Sequence, residues 1–346
     1  MSLPYLQPYL GLSNGLNTLH AAGAGGAVGG WVELGRYTAG STTTNLSVSS
    51  LPDKRYYMIL ENVLVSSDTS HNQITFNSDT GSNYAWRTSS DGGADATGTS
   101  QTYIENQSVD ATPHFLVGYL ANYASKEKLL MYHTIKQNTA GAGSAPTRKE
   151  TVAKWANTSN AFNKWNTYKN TAAAGSELVI LGYDPADTHT NNFWEELASV
   201  EASGTVTSLD TGTFTAKKYL WIQCFMKPSG SPSFSPIFNN DTGSNYAFRY
   251  SDNGGTDATN TSQTDLGTLN QGYSNTFTNI FVINNQSNEK LCLVHGINQT
   301  TAGAGYAPAR RELVAKWANT SNQITSFKVS GSSIASGSII KVWGAN

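Results

Sequence analysis

Charge is scarce in this chain. Of 346 residues only 13% are charged, with 22 Lys and Arg against 24 Asp and Glu and a net charge of −2. Nucleic-acid binders draw affinity from clustered Lys and Arg set against phosphates, so this balance gives no reason to expect nucleic acid. Long apolar runs are missing too. None approaches the ~20 residues that cross a bilayer as a helix, which argues against a membrane partner. The opening residues, MSLPYLQPYLGLSNGLNTLH, lack the basic start and continuous apolar core of a signal peptide. The expectation is therefore a route out of the cell, if there is one, by lysis or inside an assembled particle. Cysteine is nearly absent, with Cys224 in WIQCFM and Cys292 in KLCLV. A disulfide framework or zinc site needs more cysteines or nearby histidines, so both read as buried, unbridged thiols. No motif implies a cofactor.

What the chain does have is a long internal repeat. SDTGSNYAWRTSSDGGADATGTSQT, from Ser78 to Thr102, returns as NDTGSNYAFRYSDNGGTDATNTSQT from Asn240. QNTAGAGSAPTRKETVAKWANTSN pairs with QTTAGAGYAPARRELVAKWANTSN, and GSELVILG with GSIIKVWG. No gap is needed between about Asp79 and Gly182, so both copies are expected to share one fold and one strand order. WVELG at Trp31 and WEELA at Trp194 mark the two starts. The reading is an arm over 1–30, a first repeat over 31–192 and a second over 193–346. DPADTHTNN, short and polar, is the connection between them.

Within a copy, YYMILENVLV, HFLVGYLANYA and LLMYHTIKQ are short and rich in aromatic or β-branched residues, with turn residues at their ends. RKETVAKW retains Arg148, Glu150, Val152 and Lys154 at alternate positions of the second copy and is also assigned a strand. Roughly eight to ten strands per copy predict an all-β chain of two tandem, jelly-roll-like β-sandwich domains behind an extended N-terminal arm. In LLMYHTIKQ the closely matched set is Leu129, Met131, His133, Ile135 and Gln137. Alternate strand residues share a face, so this set is expected to face the core. His133 and its counterpart His295 are then buried neutral imidazoles rather than catalytic bases. Cys224 and Cys292 align with Asn62 and Leu130.

The opening repeat is first of all hairpin chemistry, with Gly81 available for positive φ and Asp79 for an Asx turn. Two functional readings stand beside that one. Asp79, Asp91 and Asp95, or Asp241, Asp252 and Asp257, offer hard oxygen ligands to calcium, although the spacing is not that of an EF-hand and Asp91 becomes Asn253. Asn83, Tyr84, Trp86 and Arg87, with Asn245, Tyr246, Phe248 and Arg249, are candidates for contact with a glycan or protein. Arg148 and Glu150, repeated as Arg310 and Glu312, suit a salt-bridged subunit or domain contact, or a charge-protected edge strand. In the arm, Tyr5, Leu6, Tyr9 and Leu10 are apolar anchors on the glycine-rich leash AAGAGGAVGG.

The strings FNSDTGSNYAWR, NTAGAGSAPTRKE, VAKWANTS and LGYDPADTHT resemble a group of virion structural proteins, capsid- or tail-associated, of tailed phages and of archaeal viruses from aquatic environments. The resemblance covers both copies and leaves out the first thirty or so residues. It implies a non-enzymatic structural or decorating protein of a particle, assembled in the host cytoplasm and released by lysis, with other virion proteins as partners. A carbohydrate-binding adhesin or receptor-binding module is the alternative. An enzyme is third, since a glycosidase needs two carboxylates across a cleft; Glu33 and Glu150 recur as Glu196 and Glu312. Duplication also predicts a closed homo-oligomer, a trimer of six similar units, with the arm lying on a neighbour.

Overall fold

The computed structural model describes residues 30–346 except 66–71, 107–111, 186, 188–190, 231–232 and 270–273. Tyr5, Leu6, Tyr9 and Leu10 lie outside the described residues, as do His20, His71 and His189.

The described chain is all β, with antiparallel pairing throughout. The first half contains β1 (Val32–Thr38), β2 (Thr43–Val48), β3 (Tyr56–Val63), β4 (Gln73–Phe76), β5 (Tyr84–Ser90) and β6 (Ala96–Gln101). It continues with β7 (Ile104–Glu105), β8 (His114–Ala121), β9 (Lys128–Lys136), β10 (Thr147–Trp155), β11 (Trp165–Ala172) and β12 (Glu177–Tyr183). The second half contains β13 (Glu195–Glu201), β14 (Val206–Asp210), β15 (Tyr219–Met226), β16 (Ser235–Phe238), β17 (Tyr246–Asp252) and β18 (Ala258–Gln263). Then come β19 (Thr276–Ile283), β20 (Lys290–Asn298), β21 (Ala309–Trp317), β22 (Phe327–Ile334) and β23 (Ile339–Ala345). Each half thus exceeds the eight to ten strands expected, because short strands such as β4 and β7 carry too few residues to show alternation.

The first large sheet runs β1-β12-β3-β8-β9-β10-β5-β6 and the second β13-β23-β15-β19-β20-β21-β17-β18, the same order strand for strand. The smaller sheets are β2-β11-β4-β7 and β14-β22-β16. In each half one buried cluster joins the large sheet to the small one. The first includes Tyr57, Ile59, Tyr132 and Trp155 with Leu46, Phe76 and Trp165; the second includes Leu220, Ile222, Val294 and Trp317 with Phe238, Phe327 and Val329. This is a sandwich-like arrangement, and it follows from alternation: residues of one parity along each large-sheet strand point to the small sheet.

The other parity does not meet water everywhere. A third cluster contains Met58, Leu60, Phe115, Val117 and Ile135 of the first half with Phe281, Leu291, Leu293, Val314 and Trp343 of the second. The large sheets therefore pack back to back through their outer faces. That corrects the face assignment of β9. Leu130, Tyr132 and Thr134 point into the sandwich, whereas Leu129, Met131, His133 and Ile135 lie on the outer face. Both parities are apolar in this strand, so alternation identifies two faces without saying which one is interior.

Pairing also refines the alignment. Glu61 sits opposite Leu178, and Cys224 opposite Ile340, so the counterpart of Cys224 is Glu61 and not Asn62. The second copy is one residue shorter between β3 and β4 than the first. Both cysteines are free and wholly buried, and burial pushes their thiols well above the ordinary range. They are expected to resist iodoacetamide in the native protein and to react fully in denaturant, read by intact mass.

Candidate functional site

The repeated DTGSNY segment is a structural clamp. Asn77 and Ser78, like Asn239 and Asn240, take positive φ in a tight turn closed by the Asp79 amide on the Phe76 carbonyl at 2.8 Å. Gly81 does not supply that φ, contrary to expectation; it is needed because a Cβ there would lie 2.8 Å from Asn83 Nδ2. The Asp79 carboxylate accepts from Trp155 Nε1 at 2.7 Å, from the Gly81 amide at 2.8 Å and from Asn83 Nδ2 at 2.8 Å. Asp241 repeats the set with Trp317, Gly243 and Asn245. Burial alone would raise these carboxyls, but the three donors outweigh it and hold both below the usual range. Asp79→Ala strands the Trp155 N–H and is expected to cost about 1–3 kcal/mol, measured by urea unfolding.

This clamp and other internal contacts use up most of the candidate ligands and contacts. Tyr84 and Tyr246 are buried, each accepting a backbone amide (Phe76 and Phe238) on its hydroxyl, and cannot touch a partner. Asn83 and Asn245 are spent on Asp79 and Asp241. Phe248 is core, and Trp86 packs partly against the first core cluster. The calcium candidates are dispersed. Asp95 pairs with Arg87, Asp252 with Arg311, and Asp257 with Arg148; Asp91 Oδ1 accepts from the Arg148 amide. Among the described residues no three His, Cys, Asp or Glu side chains form a metal-holding group.

The other repeated residues meet between the two halves. His133 and His295, equivalent residues, pack edge to face with ring centres 4.3 Å apart. Burial lowers His133 to about 4, helped by Arg148, and His295 to about 3, helped by a charge on His133, so both are neutral at pH 7. Beside them Arg148 Nη2 lies 2.7 Å from Asp257 Oδ1, and Nη1 reaches Glu150 and, at 3.4 Å, Glu312. Burial raises Glu150 to about 7; Arg148 opposes the rise and Glu312 adds to it. Glu150 therefore takes up a proton more readily than an ordinary carboxyl.

A loop completes this contact. QNTAGAGSAP, residues 137–146, lays its backbone on the second half. Lys316 Nζ donates to the carbonyls of Gln137 at 3.2 Å and Thr139 at 2.5 Å, and pairs with Glu289 at 3.4 Å. The Gly141 amide donates to Glu289, the Ser262 amide to the Ala142 carbonyl at 2.8 Å, and Arg249 Nε to the Pro146 carbonyl at 3.0 Å. Arg249 also lies 3.2 Å from Asp91. Sequence reasoning missed this loop's role. The one available signal was that a glycine-rich loop keeps nearly every residue in both copies.

Beyond the contact, no described residue covers the outer face of the first large sheet. It forms a concave surface of about 790 Å³, lined by Trp31, Trp86, Tyr119, Leu129, Met131 and Val152 among others. The glutamates proposed as a catalytic pair do not come together here. Glu33 binds Arg36 on β1, and Glu150 lies on β10, five strands away across the sheet or about 24 Å. That exceeds any glycosidase spacing. Glu196 pairs with Lys341.

No family model matches the chain, and no curated protein matches it. Solved structures give slight likenesses. One is a chain from work on the mechanism behind the in-meso crystallization of membrane proteins, 10% identical over 75% of this chain and 82% of that one, with a TM-score of 0.13. Another is the crystal structure of a Pseudomonas aeruginosa FadL homologue, 10% identical over 86% and 92%, with a TM-score of 0.08. Neither carries an argument. Among the described residues no helix is long and apolar enough to cross a membrane.

Proposed function

We propose that the chain is a non-enzymatic building block of a virion, made of two homologous, jelly-roll-like β-sandwich domains in tandem. The observation that supports it is where the repeat is retained. On the matched sides of β9 and β10, His133, Ile135, Arg148 and Glu150 lie on the surface through which the halves dock, and so does the loop 137–146. Sequence kept for docking rather than for a pocket of acids and bases suits assembly. The virion setting rests on the resemblance of the repeated strings to capsid- and tail-associated proteins, and other virion proteins are then its partners. Mass spectrometry of purified particles tests it: many copies per particle are expected, and absence from particles refutes it.

The aromatic rings of Trp31, Tyr56, Tyr119 and Tyr183 around the outer face of the first large sheet favour carbohydrate binding as a second reading. A glycan array separates the two, since a building block gives no specific signal.

A further inference from the structure

The contact between the halves is not symmetric, and each half keeps a copy of the side it does not use. The second half contributes a receiving face: Leu291, Leu293 and Val314 are 1%, 4% and 3% exposed, with Lys316, Glu289 and Arg249 at the rim. Their equivalents in the first half are Leu129, Met131 and Val152, at 57%, 56% and 53%. The rim is present there as well. Lys154 pairs with Glu127 at 2.9 Å and Arg87 with Asp95 at 3.1 Å, all four exposed. Ser100, equivalent to Ser262, has the same positive φ, 52° against 51°. Among the described residues nothing covers this receiving face.

The first half contributes an inserting face, made of the 137–146 loop and an apolar patch including Phe115 and Ile135. Its equivalents in the second half are Phe277 and Ile297, both exposed, beside the loop QTTAGAGYAP, whose residues 301–308 are all exposed. The loop keeps its shape: Gly141 and Gly303 have φ of 88° and 98°, and Asn138 and Thr300 have 60° and 58°. The groups that hold Lys316, Glu289, Ser262 and Arg249 are backbone atoms, so the second loop presents the same donors and acceptors through Gln299, Thr301, Gly303, Ala304 and Pro308. Among the described residues nothing receives this inserting face.

We infer that a second copy of this chain docks its second half onto the open face of the first half, repeating the contact already made within the chain. The partner's Ile297 and Phe277 cover Leu129, Met131 and Val152, and its loop 299–308 takes the positions over Lys154, Glu127, Ser100 and Arg87. The contact is head to tail, which produces a ring where the rotation closes and a filament where it does not. Gln223, Asn279 and Lys341 stand in the second half where Leu60, Val117 and Val179 stand in the first. The contact between chains is therefore more polar and weaker than the one within them. It deepens the assembly role proposed above, but it is read from purified protein, whereas that role is read from particles.

The test uses two surface variants of the full chain. Met131→Lys spoils only the receiving face and Ile297→Lys only the inserting face. Native mass spectrometry and sedimentation are expected to show wild-type oligomers, and each variant alone self-associating on the order of 100-fold more weakly. An equimolar mixture of the two variants should give a heterodimer and nothing larger, because each supplies the face the other lacks. Monomeric wild type, a variant that assembles like wild type, or a mixture that stays monomeric overturns the inference. Residues 1–29 lead into Trp31 at the edge of the open face, so a chain shortened to residue 30 is measured too. Assembly gained only after that deletion would mean that the arm, and not a second copy, occupies the face.

Discussion

Leu293→Asp is expected to cost about 3–5 kcal/mol of stability at low protein concentration, and Met131→Asp less than about 0.5 kcal/mol. The two positions are equivalent in sequence, in register and in the strands beside them. Met131 pairs with Tyr119 and Val152, and Leu293 with Phe281 and Val314. Only their surroundings differ. Leu293 is sealed between the large sheets, so an aspartate there loses its water beside an Arg148 already engaged by Asp257, Glu150 and Glu312, while the removed leucine gives up about 1.5–3 kcal/mol of burial. Met131 faces solvent in the single chain. Urea titration followed by fluorescence measures both, and the Leu293 variant should lose the coupling between halves before either sandwich unfolds. Equal costs at the two positions would show that the halves do not pack as described.

Much of this architecture is legible in the residues themselves. The all-β class follows from short aromatic and β-branched runs, and the common strand order of the large sheets from a repeat that needs no gap between about Asp79 and Gly182; among the described residues the small sheets differ by one strand, β2-β11-β4-β7 against β14-β22-β16. The assignment of RKETVAKW to a strand followed from Arg148, Glu150, Val152 and Lys154 recurring at alternate positions. The matched side of β9 has another meaning than the core-facing one its apolar residues suggest, because interior positions changed freely: Leu130 became Cys292, Tyr132 became Val294, and Glu61 became Cys224. Cores tolerate such exchanges when volume and polarity are balanced by neighbours. A docking face has to match a second, separately folded surface, which leaves it less room. Other features could not be read from residue type at all. Lys128 and Lys290 are fully buried, each capped by three backbone carbonyls, and nothing in KEKLL or NEKLC shows that the chain will curl back to supply those oxygens. The role of loop 137–146 is hidden for the same reason, since it acts through backbone atoms.

Arg148→Met is expected to be as damaging as Leu293→Asp, but with a different pH profile. Arg148 is buried among Asp257, Glu150 and Glu312. Its removal leaves Asp257 sealed with only the more distant Arg249, 3.8 Å away, which should cost about 3–5 kcal/mol at pH 7. Arg310→Met provides the control: the equivalent guanidinium is mostly exposed, and a loss of less than about 1 kcal/mol is expected. In the wild type two opposing groups titrate at this contact. His133 and His295 have folded values near 4 and 3, below the ordinary 6.5, so the unfolded chain binds their protons first and stability falls as pH drops from about 6.5 toward 4. Glu150 has a folded value near 7, above the ordinary 4.5, so the folded chain holds its proton and stability rises as pH drops from 7 to 4.5. Two histidines outweigh one glutamate, and the wild type should lose stability between pH 7 and pH 5. Taking away Arg148 removes a cation that disfavours charged imidazoles and one that favours charged Glu150. Both changes make proton uptake by the folded state easier, so the variant's loss from pH 7 to pH 5 should be smaller than the wild type's. Urea midpoints at the two pH values decide it, and parallel shifts in the two proteins would place the titrating groups somewhere other than this contact.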